Sequence, residues 1–143
     1  MPMTLARRIG VMVGMLVLAG QAGSAQQAQP AATGAWVLEP AAGATWTAAY
    51  AVVENPSMYE IYVVSVSTDA AGAAEVVTGP PDAVKPVPEL PVPAYGQTEL
   101  EPGGVHIRLK DLKQPLKEGD SVELTLTTDG GVTIKVTAPV KKG

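Results

Sequence analysis

The chain has 143 residues, of which 46% are hydrophobic, and its 14 acidic and 10 basic residues give a formal net charge of −4. It contains no cysteine, which excludes a disulfide framework, a thiolate metal site and a catalytic thiol. The acidic balance and the absence of a basic cluster argue against nucleic acid as a partner.

The first 25 residues have the parts of a secretory signal peptide. Arg7 and Arg8 supply the positive charge, residues 9–19 form an apolar run, and Gly23 and Ala25 provide small residues for cleavage. We therefore predict cleavage after Ala25 and a periplasmic or secreted location, with an uncleaved anchor as the alternative. No cysteine follows the run, so we expect no lipid anchor, and no later segment is apolar enough for a membrane span.

Residues 26–34 are rich in Gln, Ala and Pro and contain no charge or large apolar group. Such a composition cannot bury enough surface to offset the entropy of ordering, so we predict a flexible linker there. Residues 35–143 then form a single domain. Removal of the signal peptide leaves eight basic against fourteen acidic residues, a net charge of −6.

Short segments of high β-propensity, separated by turn residues, fill the domain and show no helical period. Val122, Leu124 and Leu126 alternate with polar residues, as expected for a strand with one buried face. About eight strands at this spacing predict an all-β fold, an antiparallel β-sandwich or barrel. The predicted strands cover residues 35–38, 46–54, 59–67, 74–78, 98–100, 105–109, 121–127 and 132–136.

Residues 84–93 contain four prolines, and a central strand cannot contain them because each proline removes a backbone donor. One interpretation is a polyproline ligand for a partner protein. We favour the other, an extended edge segment that crosses between sheets, because the segment lies inside the domain and carries several apolar side chains.

The segment Glu101–Leu109 (Glu-Pro-Gly-Gly-Val-His-Ile-Arg-Leu) resembles the most characteristic motif of periplasmic copper chaperones of the PCu(A)C type. The start of the domain, with Ala35-Trp36-Val37 and Pro40-Ala41-Ala42-Gly43, and the proline-rich crossing are also similar, so the resemblance covers about residues 35–140. It implies a cupredoxin-like β-sandwich, bound copper(I), and a periplasmic protein partner in cytochrome oxidase assembly.

The family's copper site, two histidines and two methionines, transfers to this chain at one position only. His106 matches the second histidine, whereas the methionine two residues later is Arg108. The other methionine corresponds to Val84, and the first histidine to Val77 with a shortened loop. We therefore predict weak or absent copper(I) binding and expect no cofactor from the residues themselves.

Two interpretations of His106 stay open: a weak metal or proton site formed by one imidazole, or a strand histidine that hydrogen-bonds nearby groups. No nucleophile motif accompanies it, so we expect no enzyme activity. The alternative to a copper chaperone is a metal-free protein-binding or structural module. Its candidate contact residues are Tyr59, Tyr62, Tyr95 and Trp46.

Overall fold

The computed structural model describes residues 29–143, so the predicted signal peptide and residues 26–28 of the predicted linker lie outside the described residues. The described part contains ten strands and no helix, and therefore no helix long and apolar enough to cross a membrane. The strands are β1 Ala31–Leu38, β2 Trp46–Asn55, β3 Ile61–Thr68, β4 Ala71–Thr78, β5 Lys85–Pro86, β6 Leu90–Val92, β7 Gly96–Leu100, β8 His106–Leu112, β9 Ser121–Thr128 and β10 Thr133–Lys141.

The strands form one mixed sheet in the order β5-β4-β8-β2-β1-β10-β9-β3-β6, and β7 pairs with β2 beside that path. Every pair is antiparallel except β1 with β10, where Val37 pairs with Val140 in parallel. The predicted all-β fold is confirmed. The predicted number of about eight strands is too low, and a purely antiparallel sheet is wrong, because the first and last strands run side by side in the same direction.

Buried side chains from both halves of the sheet form one hydrophobic cluster, so the sheet curls around a common core. Strand β9 buries Val122, Leu124 and Leu126, as its alternation predicts, and β8 contributes Ile107 and Leu109, both fully buried. Each side chain of this size stabilises the fold by about 1.5–3 kcal/mol on burial. Because the described domain has no cysteine, its stability comes from this core without any disulfide.

The proline-rich segment supplies the two end strands of the sheet. Lys85–Pro86 pairs with β4 at one end of the strand order, and Leu90–Val92 pairs with β3 at the other. This confirms the prediction of an edge segment that crosses between the two halves. Proline is compatible with these positions because an edge strand has one side on which no backbone donor is required.

Strand β1 begins at Ala31, inside the segment predicted as linker, and its first residues pair with the end of β2. The register shifts between Thr33 and Trp36, and Gly34 there has a positive φ of 60°. A bulge of this kind bends a strand and re-aims its side chains. The small, uncharged residues that suggested a linker are ordered here by their backbone pairing with β2.

Candidate functional site

Strand β8 presents two faces, and its outer face carries the motif residues. Ile107 and Leu109 point into the core, whereas His106, Arg108 and Lys110 are partly exposed on the opposite face. Strand β8 lies between β4 and the first half of β2. The second half of β2 pairs with β7 instead, so the Pro-Gly-Gly turn between β7 and β8 lies beside the middle of β2.

The ring of His106 is fixed by its own turn. Its Nδ1 lies 2.9 Å from the carbonyl oxygen of Gly104. Because a carbonyl only accepts, Nδ1 carries the proton and Nε2 is the nitrogen left for other contacts. The ring centroid is 6.1 Å from that of Tyr50, which in turn lies 4.7 Å from Trp36. Burial raises the pKa of Tyr50 above its ordinary value of 10.0, so its hydroxyl is protonated at neutral pH.

The guanidinium of Arg108 lies over an indole ring. Its guanidinium carbon is 4.4 Å from the centroid of Trp46, a cation–π contact, and its Nη1 donates to the carbonyl oxygen of Pro81 at 3.3 Å. Its Nε is buried without a hydrogen-bond partner. Glu75 pairs with Arg108 across the sheet, but its carboxylate lies 3.6 Å from Nζ of Lys110. Within residues 29–143 no carboxylate forms a salt bridge with Arg108.

Three of the four residues that the resemblance assigns to ligand positions, Val77, His106 and Arg108, lie together on one face. Val77 on β4 pairs directly with His106, and paired residues of neighbouring strands share a face. Val77 is fully buried and Arg108 lies two residues along the same face of β8. Val84 lies in the β4–β5 loop, whose Pro81 carbonyl receives the hydrogen bond from Arg108.

A cavity of about 420 Å³ opens over this face. The β4–β5 loop and the turn before β8 form its rim, and most of the lining is apolar or aromatic. The lining residues are Leu38, Trp46, Ala48, Tyr50, Gly79, Pro80, Pro81, Gly103, His106 and Arg108.

The donors at this cavity do not suit a transition metal. Of the four positions that the resemblance assigns as ligands, only His106 carries a metal-donor atom, and a specific site needs two or more. Across residues 29–143, no three His, Cys, Asp or Glu side chains are grouped so that they could hold an ion. Met58, the remaining methionine of the described chain, is exposed in the β2–β3 turn. The five residue steps along β2 from Tyr50 to Asn55 place that turn about 17 Å from the cavity.

The predicted contact tyrosines lie at that distant end of the sheet. Tyr59 and Tyr95 are 71% and 72% exposed, and the backbone N–H of Tyr95 donates to Ser57 O at 3.0 Å, which holds their two turns together. Tyr62 is only partly exposed. Its hydroxyl bonds to the Glu60 carboxylate, which raises the pKa of Tyr62.

Sequence reasoning missed two features that depend on sheet register. Trp46, predicted as a partner contact or a core residue, is 37% exposed and stacks with Arg108, far from the tyrosines. Asn55 is buried and links the β2–β3 turn to the carbonyls of Val92 and Pro93. The sequence does indicate that Arg108 shares a face with His106, because residues two apart on a strand point to the same side. No local pattern reveals that residue 46 lies beside residue 108.

The LpqE-like family, described as "Putative lipoprotein LpqE-like", matches residues 31–140. A protein of Leifsonia xyli subsp. xyli described as "Putative lipoprotein Lxx21020" is 37% identical over 112 residues, which cover 75% of this chain. The chain spans just under two thirds of that relative, 66% of its length.

Two solved structures are similar along most of their length. The solution structure of CuI-DR1885 from Deinococcus radiodurans is 36% identical, covers 87% of each chain and superimposes with a TM-score of 0.69. The apo PCuAC domain from PmoF1 is 22% identical, covers 78% of this chain and 92% of that domain, and gives a TM-score of 0.68, a likeness of fold alone. None of these descriptions names an enzyme activity. The chain therefore belongs to the LpqE-like family and has the PCuAC-domain fold.

Proposed function

We propose that this chain is an exported protein of the PCuAC type that binds copper(I) weakly or not at all and works as a metal-free binding module on the cupredoxin-like scaffold. The observation that carries the proposal is the set of side chains at the four ligand positions. Two are valines without a donor atom, one is the guanidinium of Arg108, and only His106 remains.

The charge of Arg108 opposes copper binding in addition to the missing donors. A monovalent cation held about 4 Å from the guanidinium would be repelled by about 4 kcal/mol at an effective dielectric constant of about 20. That energy corresponds to roughly a thousandfold loss of affinity. A relative at 36% identity is described as bound to CuI, so the scaffold itself is compatible with copper.

Competition between the protein and a copper(I) chelator tests the proposal. We expect the protein to retain no copper at nanomolar free concentration. The triple variant Val77→His, Val84→Met, Arg108→Met should gain tight binding and lose it again when His106→Ala is added. Lys110→Met, which also replaces a cation of β8 by a thioether, is the matched control and should bind no better than the wild type. Tight retention by the wild type would contradict the proposal.

Copper delivery in oxidase assembly, the role that the resemblance implies, requires retained copper, so the same titration tests it. Protein binding is supported instead by the exposed Tyr59 and Tyr95, whose turns are fixed to each other. A partner captured equally with and without a copper chelator, and lost in the Tyr59→Ala, Tyr95→Ala double variant, is the expected result. We place the protein outside the cytoplasm, as the lipoprotein description of its family supports, and assign it no enzyme activity.

A further inference from the structure

The guanidinium of Arg108 is a cation without an anionic partner. Among the described residues it makes one hydrogen bond, to Pro81, and its Nε is buried with none. The residue paired with Arg108 across the sheet is Glu75, and its carboxylate forms a salt bridge with Lys110. An arginine has five donors in a planar fork that matches a carboxylate, so most of the binding capacity of this side chain is unused.

The surroundings of Arg108 hold the guanidinium in place before any ligand arrives. Its contact with Trp46 and its bond to Pro81 hold the guanidinium from two sides. A donor that is already oriented loses little entropy on binding. The adjoining cavity, about 420 Å³, falls in the size range of small-molecule sites and has an apolar, aromatic lining with few polar groups.

On this basis we propose that the cavity above β8 is a binding site for a monocarboxylate with an apolar body, held by Arg108 at its charged end and by Trp46 and Tyr50 along its body. The inference rests on the proposed absence of copper from the same face. One guanidinium balances one negative charge, which favours a carboxylate over a phosphate dianion. The same chemistry occurs in a free aromatic acid and in the last residue of a peptide.

Titration followed by NMR of the backbone amides and the Trp46 indole tests the site, with phenylacetate as the free acid and acetyl-Gly-Phe as the peptide end. Their uncharged analogues are phenylacetamide and acetyl-Gly-Phe amide. We expect one or both acids to shift the signals of Trp46 and His106, and the matching amide to bind at least about tenfold more weakly, because a charge-assisted hydrogen bond is lost. Which acid binds more tightly identifies the source.

Two charge-removing variants on the same strand separate the site from general electrostatics. Arg108→Gln should weaken acid binding at least about tenfold. Lys110→Gln, the matched control, should change it less than about twofold, since Lys110 lies outside the cavity and is already paired with Glu75. Thermal unfolding of both variants verifies that they are folded.

Any of three results would overturn the inference. The first is no binding of either acid at about 10 mM, a concentration that reveals even a binding free energy of about −3 kcal/mol. The others are equal binding of acid and amide, and an unchanged affinity in Arg108→Gln. The copper titration is read independently of these results. Tight copper retention would contradict the proposed function. If the protein binds neither copper nor a carboxylate, only the present inference is wrong.

Discussion

Asn55 is the side chain that joins the two turns at the tyrosine end of the sheet. It is 2% exposed, and its Nδ2 lies 2.8 Å from the carbonyl oxygen of Tyr59, 3.1 Å from that of Val92 and 3.2 Å from that of Pro93. Its Oδ1 accepts from the backbone N–H of Ser57 at 3.0 Å. A buried amide with all its polar atoms engaged is costly to remove, because its partners remain buried.

We predict that Asn55→Ala lowers the free energy of unfolding by about 3 kcal/mol. Asn55→Asp keeps the shape but places a carboxylate against three carbonyl oxygens, and should cost more at neutral pH. Urea unfolding measures both. Ser57→Ala is the control and should cost about 1 kcal/mol, since it removes a partly exposed hydroxyl. A loss below about 1 kcal/mol for Asn55→Ala would show that these turns do not depend on the amide.

The residue scale is also where sequence reasoning succeeds and fails most sharply. The spacing of two between His106 and Arg108 puts them on one face of β8, a relation that needs no knowledge of neighbouring strands. Their contacts with Tyr50 and Trp46 depend on the register of β2 against β8, which the strand sequences do not determine. Weak or absent copper(I) binding stays a prediction, which the copper titration tests.

At the scale of elements, the β4–β5 loop forms one wall of the cavity and depends on a glycine. Gly79 has φ of 105°, and a Cβ at this position would lie 2.9 Å from the carbonyl oxygen of Ala83 and 3.6 Å from Cα of Val84. The loop therefore folds back on itself closely enough to leave no room for a side chain.

Gly79→Ala should destabilise the protein by about 1–3 kcal/mol through backbone strain, and it should displace Pro81 from Arg108. Thermal unfolding measures the first effect, and amide chemical shifts of residues 79–84 measure the second. Gly130→Ala, in a turn where a Cβ meets no atom within 4 Å, is the control and should change stability by less than about 0.5 kcal/mol. Wild-type stability in Gly79→Ala would mean that the loop has another conformation of equal energy.

Strand positions were predictable where alternation is regular, as in β9, and where proline forces an edge, as in residues 84–93. Two features had no local signature. Strand β1 starts with small residues that carry no burial pattern, and its order comes from pairing with β2. The parallel pair of β1 and β10 joins residues about a hundred positions apart, so no turn between them indicates the direction.

For the whole molecule, we predict export without a covalent lipid, although one relative is described as "Putative lipoprotein". Bacterial lipid attachment uses a cysteine thiol, and the 143 residues contain none. We expect the exported protein to begin at Gln26 by mass spectrometry and to enter the aqueous phase on detergent partitioning. Recovery in the detergent phase with residues 1–25 attached would favour the uncleaved anchor instead.

The parallel pairing of β1 with β10 also sets the positions of the first and last described residues. Residues 29 and 31 lie beside Tyr95 and Asn55, whereas Lys141 pairs with Leu38 at the other end of a strand about 26 Å long. A polypeptide fused ahead of residue 29 would crowd the exposed tyrosines. Immobilising the protein through Gly143 would instead leave the tyrosine-bearing tip directed away from the support and free for capture.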